Sequence, residues 1–126
     1  MDTSTPAVTL TFEVTAADTA AAVGSGDLPV LSTPGLLAWA EAATCAALAG
    51  TIGAGQTSVG SRVTLEHRAA SLVGERVDVT ATLIHRDGRL CRFEVAAVNS
   101  TEVVVGHGEI TRIVVERDGF MARVRR

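Results

Sequence analysis

The sequence has no lysine: all 11 basic residues in its 126 are arginines, which points to codon bias rather than chemistry. Net charge is small, −3 with a pI near 5.5, and that excludes a general nucleic-acid binder. No apolar run approaches the roughly 20 residues a membrane-spanning helix needs. The opening Met1-Asp2-Thr3-Ser4-Thr5-Pro6 lacks a basic n-region and an apolar h-region, so no secretion address, no membrane partner and a cytoplasmic location are expected. Only two cysteines, Cys45 and Cys91, are present, without a CxxC spacing, and the three histidines His67, His85 and His107 lie far apart. No metal site or other cofactor is expected, and the thiols read as free in a reducing compartment. Internal repeats are absent. With 47% hydrophobic and 20% charged residues, disorder is excluded, and the length fits one domain over residues 1–126.

Alternation marks a first strand at Val8, Leu10, Phe12 and Val14. Ala16 to Ala22 suits a short helical turn, and Gly24 to Pro29 reads as a loop. Thr33 is placed to cap a helix with Pro34 at its first position, Leu36 to Ala49 as its body and Gly50 as its stop. From Leu28 to Ser61, a span of 34 residues, Glu41 is the only charged side chain. A surface helix shows a polar face; one this apolar all round is expected to be wrapped by protein on most sides.

From there the pattern is β: Val59 to His67, then a turn near Gly74, then Val77 to His85. The Asp87-Gly88 hairpin signal leads into Leu90 to Val98, and Glu102 to Val115 forms a last strand. Phe120 to Val124 reads as a short edge segment. One strand, one buried helix and four antiparallel strands joined by hairpins make an α+β order. The arrangement that buries such a helix is the hotdog fold, a curved antiparallel β-sheet wrapped around one long central helix. Its open sheet edges predict side-by-side dimerisation.

Glu41 is the leading chemical candidate, because a lone carboxylate in an apolar helix needs a partner or a wet cleft between helix and sheet or between subunits. Trp39 and Phe12 are assigned to the core. His67 ends its strand. His85 reads as solvated decoration of a turn, and His107 sits between two glycines. Thr33, at a helix start rich in free N–H groups, suits an anion or developing oxyanion. Gly60 would let a ligand approach the backbone closely. No GxSxG or GxxxxGK[ST] motif occurs.

Val30 to Ala43 with its Thr33-Pro34 and Glu41, Ser58-Val59-Gly60 through Leu65-Glu66-His67-Arg68-Ala69-Ala70, and Gly106-His107-Gly108 with Arg112 together resemble the fluoroacetyl-CoA thioesterase family of hotdog proteins. The resemblance runs from about Val14 to Val124. It implies hydrolysis of an acyl-CoA thioester, with Thr33, Glu41 and His67 as the catalytic group and Gly60 and Arg112 binding substrate. The partners expected are an acyl-CoA substrate and, from the open edges noted above, a second copy of the chain in a homodimer or a tetramer. Ile110 stands where the family often carries a histidine, and the stretch from Gly24 to Val30 lacks the aromatics of the fluoroacetyl enzyme. Two other readings remain open: a non-catalytic acyl-thioester binder, and a hotdog enoyl-CoA hydratase. The hydratase would need an Asp/His loop, whereas Gly26-Asp27 continues into Leu28-Pro29-Val30. Eight helical residues rise about 12 Å, so Thr33 and Glu41 of one chain do not easily touch one reacting atom. If both are catalytic, an extended site or one shared across a dimer interface is required, and the shared site is the favoured expectation.

Overall fold

The alternating residues Val8, Leu10 and Phe12 become β1 (Ala7–Glu13) in a computed structural model, which describes residues 7–125. Residues 1–6, read above for a targeting signal, lie outside the described residues. A 3₁₀ turn (Ala16–Asp18) and a one-turn helix α1 (Ala20–Val23) follow. They lead to α2 (Thr33–Leu48), β2 (Gln56–His67), β3 (Arg76–Asp87), β4 (Leu90–Asn99), β5 (Val104–Glu116) and α3 (Arg117–Arg125). No described helix is long and apolar enough to cross a membrane.

The five strands form one antiparallel sheet in the order β1-β3-β4-β5-β2. β3–β4 and β4–β5 are the hairpins expected. β2 and β3 are not. Residues 68–75 carry the chain across the sheet, because their backbone bonds go elsewhere: the Leu31 N–H donates to the Ser71 carbonyl at 2.9 Å and the Gly74 N–H to the Val14 carbonyl at 2.8 Å. β2 therefore stands at one edge with only β5 beside it, which leaves its other side unpaired.

α2 lies on the concave face. Leu36, Trp39, Ala40, Ala43 and Leu48 are buried against Val77 and Val79 of β3, Phe93 and Val95 of β4 and Ile110 of β5. Each fully buried large side chain here contributes about 1.5–3 kcal/mol. Trp39 stacks on Phe12 with ring centroids 4.7 Å apart, so both belong to the core. Enclosure of the helix is one-sided, however. Thr33, Pro34, Ala38, Ala42 and Cys45 are exposed, because a five-stranded sheet reaches round only one flank. An uncharged helical stripe stays open.

Two end assignments also differ. Ser32, not Thr33, caps α2: its Oγ accepts the Gly35 N–H at 2.9 Å, and Thr33 is the first helical residue. Residues Phe120 to Val124 belong to α3 rather than to an edge strand. Asp118 in its first turn and Arg123 and Arg125 in its last complement the helix dipole.

Candidate active site

Displacement of the cap to Ser32 frees the Thr33 hydroxyl, whose Oγ1 lies 2.8 Å from Nδ1 of His67. The first turn of α2 and the last residue of β2 hold the pair together. Room for this close approach comes partly from Gly106, the β5 partner of His67, where a Cβ would fall 2.8 Å from the Leu36 side chain of α2. Thr33 is exposed, whereas Nε2 of His67 is buried and has no hydrogen-bond partner among the described residues. Burial pushes the imidazole pKa below its ordinary value, against a weaker opposing effect of the Ala69 backbone. An exposed hydroxyl held by a neutral imidazole can donate to a developing oxyanion or pass a proton. Beside it opens a groove of about 280 Å³ lined by Ser32, Thr33, His67 and Arg68.

Two turns further along α2, Glu41 makes a second cluster. Its Oε2 lies 3.4 Å from Nη1 of Arg112, while Oε1 makes no hydrogen bond among the described residues. Arg112 is only 7% exposed. Its Nε–H donates to Ser58 Oγ at 2.8 Å and its Nη2–H to the Ser58 carbonyl at 3.1 Å. Gly60 pairs directly with Arg112 across the β2–β5 ladder. A Cβ at Gly60 would lie 2.6 Å from Glu41 Oε2, so the absence of a side chain is what admits the carboxylate.

Both clusters face the helix because β2 is irregular. His67 and Gly60 are seven residues apart, an odd separation that would put them on opposite faces of a regular strand. The register slips between Gly60 and Arg62, leaving Ser61 as the extra residue of a β-bulge. Val63 and His67 then share a face with Ser58 and Gly60.

The structure thus joins Thr33 to His67, and Glu41 to Gly60 and Arg112. It does not bring Glu41 to His67 within one protomer. Arg112 spends its guanidinium on protein groups. Ser58, which the sequence pattern marks only as a neighbour of Gly60, lies two residues before it and so on the same strand face, where it holds Arg112. Ile110 is fully buried opposite Val63 and Phe93, a core position two residues before Arg112 on the same face of β5. A depression of about 380 Å³ on the outer face of the sheet, among Glu66, Glu94, His107 and Glu109, would repel a phosphate-bearing ligand.

The sequence profile of fluoroacetyl-CoA-specific thioesterases matches residues 10–118. A solved structure of the fluoroacetyl-CoA thioesterase FlK is 27% identical, with a TM-score of 0.89 over 99% of this chain and 96% of that one. A variant of FlK in complex with acetyl-CoA is 25% identical, with a TM-score of 0.91 over 98% of this chain and 97% of that one. A hot-dog-like protein from Thermanaerovibrio acidaminovorans, 22% identical, shares the fold with a TM-score of 0.86 over 97% and 90%. No curated protein matches in sequence.

Proposed function

Because the chain belongs to the fluoroacetyl-CoA-specific thioesterase family and is thereby an acyl-CoA thioesterase, we propose that it works as a homodimer with two composite sites. Each site joins Thr33 and His67 of one protomer to Glu41, Gly60 and Arg112 of its partner. The observation that carries this reading is the placement of the two clusters seven residues apart on an edge strand whose far side has no partner among the described residues. β2 runs from Gln56 to His67 with Gly60 toward one end. Antiparallel pairing of β2 with its own copy, about a twofold axis between Val63 and Thr64, sets His67 of each protomer opposite Gly60 of the other. The same contact covers an open sheet edge and the uncharged stripe of Pro34, Ala38 and Ala42.

Hydrolysis adds water across the acyl–sulfur bond, giving a free acid and the CoA thiol. Glu41, with Oε2 held by Arg112 and Oε1 without a hydrogen bond among the described residues, takes the proton of the attacking water. The Glu41 carboxyl then returns that proton to the departing sulfur, while the Thr33 hydroxyl, oriented by His67, hydrogen-bonds the developing oxyanion. Neither step calls for a metal.

The test is thiol release from a panel of acyl-CoA esters of increasing chain length, followed with DTNB on the purified protein. Release with at least one ester is expected. Tight CoA-ester binding without release would make the protein a binder rather than an enzyme.

Gly60→Ala gives a narrower check. Gly60 has no left-handed backbone, so alanine there adds roughly 0.5–1 kcal/mol of strand stability. Its Cβ nevertheless displaces the Glu41 carboxylate, and kcat is expected to fall by up to about 100-fold. An unchanged or higher melting temperature beside reduced kcat is the expected pair of results.

A further inference from the structure

We propose that Ser58 is a positioning residue for hydrolysis, gripping the Arg112 guanidinium so that its one remaining edge fixes Glu41 Oε2 at Gly60. The inference rests on the composite-site reading in which Glu41 is the base. Three hydrogen bonds hold Arg112 in the structure, and two go to Ser58, one to its hydroxyl and one to its own carbonyl. Arg112 lies opposite Gly60, while Ser58 lies opposite Val114. The arginine side chain therefore runs diagonally along the ladder to the next inward residue of β2. That direction is what turns Nη1 toward α2.

The carbonyl bond survives any side-chain replacement at position 58, but the Nε bond does not. Without the hydroxyl, a buried cationic N–H loses its acceptor, and such a group reorients until it finds another. The 3.4 Å contact to Glu41 is the longest of the three, and it yields first. Ser58 itself is half-buried and lines a groove of about 370 Å³ with Cys45, Thr57 and Arg117, so a solvent molecule there would compete for the freed guanidinium.

Steady-state kinetics of Ser58→Ala, Ser58→Thr, Glu41→Gln and the Ser58→Ala/Glu41→Gln double variant test this on the intact protein. Ser58→Ala is expected to lower kcat about 10–100-fold, with KM changed less than about threefold because substrate binding is not its task. Ser58→Thr keeps the hydroxyl and is expected to recover most of that loss. On the Glu41→Gln background, Ser58→Ala is expected to cost nothing further, since a residue that acts through Glu41 has nothing left to position. Unchanged kcat in Ser58→Ala, a threonine variant as slow as the alanine one, or full additivity in the double variant would each overturn the proposal. Turnover at the native rate in Glu41→Gln would instead remove the reading beneath it; slow Glu41→Gln with fast Ser58→Ala removes only the role of Ser58.

Discussion

Replacing His67 with alanine is expected to lower kcat for acyl-CoA hydrolysis by roughly 10²–10⁴-fold, and Glu41→Gln to do the same, the usual scale for a positioned acid–base group. The His67 variant also carries a pH signature. Burial lowers the imidazole pKa below its ordinary 6.5, so the folded protein binds a proton there less readily than the unfolded chain does. Two consequences follow in the same direction. The acid limb of kcat/KM that belongs to His67 falls below pH 6.5. Stability contributed by the neutral ring is fully present above that pH and is lost as pH falls through 6.5 toward the lowered value. Melting curves at pH 5 and pH 8 read this out: the native protein loses stability at pH 5 relative to pH 8, and His67→Ala loses less. A His67→Ala protein that turns over as fast as the native one would end the assignment.

Mixing two inactive proteins is expected to restore activity. A heterodimer of a His67→Ala protomer and a Glu41→Gln protomer has one composite site carrying both defects and one carrying neither. Random exchange of equal amounts makes half of all dimers mixed, so activity should return to about one quarter of the native level. Against homodimers reduced roughly 10²–10⁴-fold, that is an unmistakable gain. Thr33→Ala should complement Glu41→Gln in the same way but should not complement His67→Ala, because Thr33 and His67 serve from the same protomer. Failure of every pair to complement, after exchange has been verified by native mass spectrometry, would place each site within a single chain and refute the composite arrangement.

Much of the fold was legible because its signals are local. The alternation of Val77, Val79 and Ala81 marks a face that is buried in the structure, and the near-chargeless run around Glu41 announces the central helix. The position of β2 was not legible. Gly74 looks like a hairpin turn, and the long-range bonds from Leu31 to Ser71 and from Gly74 to Val14 that redirect the chain leave no pattern in sequence. The one-sided enclosure of α2 is not legible for a related reason: absence of charge records that a surface avoids water, without saying which chain covers it. Within the site, Thr33, Glu41, Gly60, His67 and Arg112 could be singled out, yet their division into two clusters depends on helix rise and strand register together. Ser58 belongs to the sequence pattern only as a neighbour of Gly60, because a serine in a strand carries no chemical signal until the cation it holds is seen.

Ser61 fixes how many residues β2 can have. Removing it, or adding one residue anywhere between Gly60 and His67, would reverse the parity of everything beyond. The imidazole would then turn to the convex side, away from the hydroxyl it shares a proton with. Changes of length are far cheaper a few positions earlier, in the Gly53-Ala54-Gly55 connection that precedes the strand, where no ladder counts residues. The edge is thus a ruler with one mark that must not move, and divergence among descendants of this chain should spare its length while freely rewriting its loops.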